Sequence, residues 1–146
     1  MRRKGPLSAE ILAEVAFHDV DLARIAWHGH YLKYLENARW ALMHQIGYPL
    51  ERMLESSEGW PIVDLQVRYL RASRYQDRLR VRATLVEWHS RLLINYLVTD
   101  ATSGERVARA QTTQVVVEMP GGHLRFELPP EFVGRVEAAI AARGAP

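Results

Sequence analysis

The sequence predicts an α+β fold in which one long helix is wrapped by a curved antiparallel sheet of about five strands. Three observations carry that prediction. Residues 29 to 46 place apolar side chains at helical spacing, whereas residues 63 to 119 alternate with period two. The alternating runs follow one another through short turns with no helix between them, which implies antiparallel pairing. A helix covering one face of such a sheet defines the class.

The elements follow in order. Residues 1 to 9 are polar and expected to fray. Ile11, Ala13, Val15 and Phe17 alternate with Leu12, Glu14 and Ala16, a strand over 11 to 17. An irregular connection, 18 to 27, leads into the helix, whose core stripe is Tyr31, Leu35, Ala38, Leu42 and Ile46. Lys33, Asn37, Trp40 and His44 form its more polar side. Gly47 is a natural stop and Pro49 prevents continuation, leaving room for a helical turn at 50 to 55. Val63, Leu65, Val67 and Tyr69 predict a half-buried strand, and Leu79, Val81, Ala83 and Leu85 a second. Leu92, Ile94, Tyr96 and Val98 mark the third. Asp100 to Glu105 is a turn, and a strand from Arg106 to Met119 is long enough to bend before Pro120-Gly121-Gly122 closes it. Pro129-Pro130 opens a short amphipathic helix to about Ala142, with Phe132, Val136 and Ile140 in register. A single domain spanning 1–146 is expected, without repeats or low-complexity segments.

Composition narrows the function classes. With 48% hydrophobic and 25% charged residues, the 146-residue chain has the makeup of a soluble globular protein. A net charge of +2 is too mild to argue for nucleic acid. Cysteine is absent, which excludes disulfides, thiolate metal sites and thiol catalysis. MRRKGPLSAE has a basic start without an apolar run behind it, and no stretch approaches the roughly 20 apolar residues of a membrane span. A cytoplasmic protein with no membrane association is the expectation.

The chemistry-bearing stretch is residues 17 to 47, FHDVDLARIAWHGHYLKYLENARWALMHQIG, a short loop with two aspartates and two histidines running into the long helix. An acidic loop feeding a buried helix start can place a carboxylate beside unsatisfied backbone N–H groups, an arrangement able to attack and polarise a carbonyl. The residues alone leave two readings of Asp21 open: a chemical role, or a cap for the turn before the helix. Asp19 reads as a loop-shaping residue bonded to nearby backbone N–H groups; close to Asp21, it would raise the pKa of one of the pair. His18, His28 and His30 invite a zinc reading, but their spacing matches no helical ligand pair, so no metal is expected. Glu36 and Arg39, three apart, read as an intrahelical ion pair rather than as catalytic. Arg68, Arg71, Arg74, Arg78, Arg80 and Arg82 bracket a turn. They form either a solvated strand face or, with Arg71, Arg74, Arg78 and Arg80 foremost, a landing site for coenzyme A phosphates or an acidic carrier protein. The run lacks the aromatic interleaving of single-strand nucleic-acid platforms.

Several short motifs, in order and spacing, resemble the acyl-CoA thioesterase family of 4-hydroxybenzoyl-CoA thioesterase type. Asp19-Val20-Asp21 is similar to the paired acids of its Asp-x-Asp-x-x-Gly segment, and Trp27-His28 to the aromatic and His that follow. Tyr31 resembles the tyrosine opening the helix, and Tyr34-Leu35-Glu36-Asn37-Ala38-Arg39 the helical Tyr/Phe-x-Glu-x-Ala-Arg. Tyr75-x-Asp77-x-Leu79 and Leu128-Pro129 resemble later motifs. His28-Gly29-His30-Tyr31 also resembles thioesterases of aryl polyene and related polyketide-type pathways. One departure stands out: Leu22-Ala23-Arg24 replaces the segment holding the loop glycine, and Arg24 adopts positive φ less cheaply than glycine.

The resemblance implies a hotdog fold and hydrolysis of an acyl-CoA or acyl-carrier-protein thioester without cofactor or metal. It carries the catalytic carboxylate, nucleophile or general base, onto Asp21 and the oxyanion donor onto a backbone N–H at His28 or Gly29. His28 is also a candidate for positioning water or substrate, with Tyr31 beside it. Exposed sheet edges predict self-association as a homodimer or homotetramer. Two other classes remain beside hydrolysis. An acyl-thioester dehydratase or hydratase is disfavoured because Asp21 and His28 are seven apart with no Asn-Pro between them. A non-catalytic acyl-binding module would keep the fold without turnover.

Overall fold

The computed structural model describes residues 5 to 144. Its main sheet has five antiparallel strands in the order β1-β4-β5-β6-β3: β1 Leu7–Glu14, β3 Ile62–Tyr69, β4 Arg78–Trp88, β5 Leu92–Asp100 and β6 Arg106–Gln114. Against the β1–β4 side of this sheet lies α1, Tyr31–Ile46, the hotdog arrangement expected from the element order. Its stripe of Tyr31, Leu35, Ala38, Leu42 and Ile46 is buried throughout, facing Leu79, Val81, Ala83 and Leu85 of β4 and Ile94, Tyr96 and Val98 of β5. Gly47 ends the helix in the left-handed conformation at φ 87°, its N–H donating to the His44 carbonyl at 3.0 Å. Beyond α2, Leu50–Leu54, the helix α3, Pro130–Gly144, closes the far end of the core with Phe132 against Tyr48 and Trp60. No helix among the described residues is long and apolar enough to cross a membrane.

Several boundaries differ from expectation. The first strand runs over Leu7–Glu14 rather than 11 to 17, so residues 7 to 9 are not frayed; residues 1 to 4 lie outside the described residues. Leu7 is the apolar anchor, fully buried opposite Leu85, whereas Phe17 has left the sheet and is 75% exposed. The expected strand over 106 to 119 breaks at Val115 into β6 and β7, Val116–Glu118. With β2, Glu58–Gly59, and β8, His123–Arg125, β7 forms a second, three-stranded sheet that the sequence did not suggest. Such strands of two or three residues are too short to show a period.

The expected half-burial of β3 also fails: Ile62, Val63, Leu65 and Tyr69 are exposed, and only Val67 packs partly against the core. The cause is placement. β3 is an edge strand at the end of the sheet opposite β1, whereas α1 sits over β1 and β4. The alternating pattern is therefore present without the cover it anticipates.

Two residues other than glycine have positive φ, Arg24 at 64° and Gln76 at 72°. Gln76 sits in the turn into β4, its N–H bonded to the Val15 carbonyl at 2.9 Å and its side chain exposed. Replacing it with glycine relieves a left-handed penalty at some cost in chain entropy, so Gln76→Gly is expected to stabilise by roughly 0.5–1 kcal/mol. A thermal melt checks this through a rise in Tm of about 1–4 °C.

Candidate active site

Between β1 and α1 the chain folds into a compact double turn. Phe17–Asp19 form one turn of 3-10 helix. A tight loop follows: Val20 and Ala26 pair as an antiparallel bridge, Asp21 N–H donates to the Ile25 carbonyl at 3.0 Å, and Arg24 N–H donates to the Asp21 carbonyl at 2.9 Å. The Trp27 N–H then returns to the Asp19 carbonyl at 2.8 Å. Local backbone bonding of this kind explains why the segment needs no regular element to hold its shape.

The loop gives its two aspartates opposite fates. Asp19 is 3% exposed and its carboxylate is fully engaged. Oδ2 accepts from the Tyr34 hydroxyl at 2.6 Å and the Ala16 N–H at 3.0 Å, and Oδ1 from the Lys33 ammonium at 2.7 Å. Burial by itself pushes the Asp19 carboxyl up, but the bonds from Lys33, Tyr34 and Ala16, with the Lys33 charge, outweigh it. The group is held well below the usual carboxylate range, so neither carboxylate-pair repulsion nor burial leaves it protonated. Tyr34 moves the other way: burial and its bond to Asp19 push its hydroxyl well above the ordinary tyrosine value.

Asp21 is exposed. Its Oδ1 accepts one bond, from the Ala23 N–H at 2.8 Å, while Oδ2 bonds to no described residue. It lines an open recess of about 730 Å³ together with Phe17, Val20, Leu22 and Arg24. One oxygen thus caps a turn, while the other is left without a bond from any described residue, so the capping reading is seen and the chemical one stays open. Arg24, at the place of the resembling motif's glycine, takes the left-handed conformation that glycine adopts more freely.

At the helix start, His28–His30 form a second 3-10 turn that runs directly into α1. Its first hydrogen bond is donated by His30 to the Trp27 carbonyl at 2.9 Å. The N–H groups of His28 and Gly29 precede that bond and are the orphan donors of a helical start. Gly29 lets the Trp27 ring lie close: a Cβ there would sit 2.3 Å from the ring and displace it. Trp27 in turn lies between His28 and His30, with ring centroids 5.0 and 5.2 Å away. A residue absent from the sequence-based candidates, Tyr69 at the end of β3, donates its hydroxyl to the His28 carbonyl at 2.6 Å. Because a trans peptide sets C=O and N–H antiparallel, this bond fixes the direction of the Gly29 N–H.

The remaining candidates scatter. Tyr31 is 2% exposed, its hydroxyl donating to Ser73 Oγ at 2.9 Å and its ring against Tyr34 and Tyr69, so it supports the site from beneath. Glu36 accepts from Arg39 at 3.2 Å, the intrahelical pair its spacing predicts. His18 is exposed, 3.7 Å from Asp19 Oδ1. Among the described residues no three His, Asp or Glu side chains gather closely enough to hold a metal ion. The arginines do not act as one cluster. Arg71 is ion-paired with Glu105, and Arg80 lies 3.6 Å from Glu10, which also binds Arg82. Arg78 stands opposite Glu14 across the β1–β4 pair. Arg74 alone adjoins the loop, through a bridge to Ile25.

Missing from the candidate list were Lys33, Tyr34 and Tyr69. Lys33 and Tyr34 reach a carboxylate 14 and 15 residues earlier, a separation without a periodic signature. Tyr69 read only as one more residue of an alternating strand.

This geometry can be compared with known proteins. The family model of the thioesterase-like superfamily matches residues 15–136. A 1,4-dihydroxy-2-naphthoyl-CoA hydrolase of Thermosynechococcus vestitus is 31% identical over 109 residues, 73% of this chain and 73% of that protein. Among solved structures, a 1,4-dihydroxy-2-naphthoyl-CoA thioesterase from Synechocystis matches with a TM-score of 0.82 at 21% identity, over 96% of this chain and 100% of that one. A mutant 4-hydroxybenzoyl CoA thioesterase complexed with 4-hydroxybenzoyl CoA matches with a TM-score of 0.78 at 25% identity, over 88% of this chain and 98% of that one. A superfamily match over most of the chain, on the fold and loop described above, settles the assignment: the chain belongs to the thioesterase-like superfamily.

Proposed function

We propose that this chain hydrolyses the thioester of an acyl-CoA or acyl-carrier-protein at the Asp21 recess. The coarser statement, that it is a thioester hydrolase, follows from its family and from relatives that act on CoA thioesters. The observation that carries the finer reading is the contrast between the aspartates. The buried carboxylate of Asp19 is engaged by three donors, whereas Asp21 offers an unbonded oxygen beside a recess. A carboxylate must be free to attack or to take a proton from water.

In this reading Asp21 adds to the thioester carbonyl or draws a proton from the water that adds to it. Negative charge then builds on the carbonyl oxygen, to which the N–H groups of His28 and Gly29 donate hydrogen bonds. Collapse restores the carbonyl and expels the thiolate, which takes a proton from solvent. If Asp21 itself has added, water cleaves the resulting anhydride and returns the carboxylate. Phe17 and Leu22 supply the apolar part of the recess wall.

Self-association belongs to the same reading. Ile62, Val63, Leu65 and Tyr69 expose apolar surface along the unpaired edge of β3, beside the helix start that Tyr69 braces. A homodimer through that edge would extend the sheet and cover the surface; a homotetramer would add a second contact.

The test is a thiol-release screen of aromatic and aliphatic acyl-CoA and acyl-carrier-protein substrates, run beside an assay for double-bond change in crotonyl and hydroxyacyl thioesters. Free thiol without double-bond change is the expected result; ligand binding without thiol release from any substrate would overturn the reading. Within the same screen, Tyr69→Phe is expected to lower kcat about five- to ten-fold with KM nearly unchanged, the size of one lost hydrogen bond. Steady-state kinetics on the best substrate checks it.

A further inference from the structure

Among the described residues, the one cation lining the Asp21 recess is held there by a conformation that glycine would adopt more cheaply. Arg24 sits at φ 64°, a left-handed geometry that costs an L-residue about 1–2 kcal/mol. Backbone strain of this kind persists where the surroundings over-determine it and concentrates at ligand clamps and active sites. The Arg24 N–H donates to the Asp21 carbonyl at 2.9 Å, which ties its backbone to the turn that carries the carboxylate.

The charge of Arg24 is also unspent. Arg24 pairs with no carboxylate among the described residues, a state it shares with Arg68, Arg74, Arg78 and Arg106, but of these only Arg24 lines the recess. Its side chain is exposed and shares the recess with the apolar Phe17 and Leu22. An apolar wall beside an unpaired guanidinium suits a ligand with a hydrophobic body and an anionic oxygen group, since guanidinium matches carboxylate and phosphate with two parallel N–H donors.

We infer that Arg24 is an anion-recognition residue of the Asp21 recess, selecting substrates that present a carboxylate or phosphate there. The inference rests on the recess being the thioester site proposed above. The anion has two sources, a carboxylate on the acyl group or a phosphate of the thiol carrier, and four probes separate them.

The probes are thioethers, so binding is read without hydrolysis: S-benzyl-CoA, S-(4-carboxybenzyl)-CoA and the two corresponding pantetheine derivatives, which lack phosphate. Dissociation constants are measured by titration calorimetry for the full chain and for Arg24→Gly, Arg24→Lys and Gln76→Gly. If phosphate is the anion, Arg24→Gly weakens both CoA probes about ten-fold or more and spares both pantetheine probes. If the acyl carboxylate is the anion, both carboxybenzyl probes weaken and both benzyl probes are spared. In either case Arg24→Lys keeps part of the affinity, Gln76→Gly keeps all of it, and Arg24→Gly raises Tm while weakening binding. A purely structural arginine would not produce that opposition.

The inference is overturned if Arg24→Gly binds all four probes as the parent does, if it weakens uncharged S-benzyl-pantetheine as much as the charged probes, or if the parent binds none. Failure of the thioesterase reading looks different. It appears as absent thiol release or as an active Asp21→Asn enzyme, whatever the calorimetry returns.

Discussion

Asp21→Asn is expected to lower kcat for thioester hydrolysis by about a thousand-fold or more, the scale at which loss of a nucleophile or general base is felt. It should leave the melting temperature within about 2 °C of the parent, because an exposed substitution without a buried partner changes stability by about 0.5 kcal/mol or less. The side chain is exposed, and its one hydrogen bond, from the Ala23 N–H to Oδ1, is one that an asparagine carbonyl accepts equally well. Asparagine therefore keeps the turn and removes only the charge. Asp21→Ala removes both and serves as the contrast. If capping were the whole role of Asp21, the asparagine variant would turn over normally and the alanine variant would be impaired through its loop. If the carboxylate does chemistry, both are inactive while only the alanine variant is loosened. Thiol release and a thermal melt on the two variants decide the matter, and normal turnover by Asp21→Asn sinks the assignment.

The parts of the fold that were legible in the sequence are those whose burial repeats. The α1 stripe and the inward residues of β4 and β5 recur with periods of 3.6 and 2 because each faces one continuous core. Where cover and period part company, the reading failed. The β3 side chains alternate correctly yet lie bare, because α1 is displaced toward β1 and β4. Ile11, Ala13, Val15 and Phe17 continue one alternation across a boundary that only tertiary bonding reveals. After Val15, the Ala16 N–H turns to the Asp19 carboxylate and takes Phe17 out of the sheet.

The candidate site was legible as a stretch of loop that is continuous in sequence. The resemblance pointed to Asp21 and to the His28 and Gly29 amides because a short acidic loop before a helix is local in sequence. Side chains that arrive from elsewhere left no trace: Tyr69 comes 41 residues later to bind the His28 carbonyl. The arginine run shows the converse failure. Adjacent in sequence, its members divide between the preceding loop and the exposed face of β4, where Arg78, Arg80 and Arg82 stand two apart beside Glu14 and Glu10, so nearness in the chain did not become one unpaired surface.

The largest stability effect is expected at Asp19. Asp19→Asn removes the charge that Lys33 and Tyr34 converge upon and turns an amide donor toward at least one of three donors. Hydrogen bonds to a charged group are worth about 1.5–3 kcal/mol each, but desolvating the carboxylate consumes much of that sum. A net loss of roughly 2–4 kcal/mol remains, a lowering of Tm by about 4–16 °C. The pH dependence has a definite sign. The folded Asp19 carboxyl is depressed below its ordinary value of 3.8, so the unfolded chain takes up the proton first. The stabilisation is complete well above that value and declines as pH falls below about 4 toward the lower folded pKa. The Tm gap between parent and Asp19→Asn should therefore be constant from pH 7 to about 5 and narrow steadily below about 4. Other carboxylates titrate in both proteins and cancel in the difference. A gap that stays fixed down to pH 2.5 (about one unit below the unfolded value) would mean the charge of Asp19 contributes nothing and only its shape matters. Because the Trp27 N–H is also bonded to the Asp19 carbonyl, the loop that carries Asp21 is tied to the same anchor. Loss of the carboxylate should accordingly lower kcat in step with stability, unlike Asp21→Asn, which is expected to separate the two.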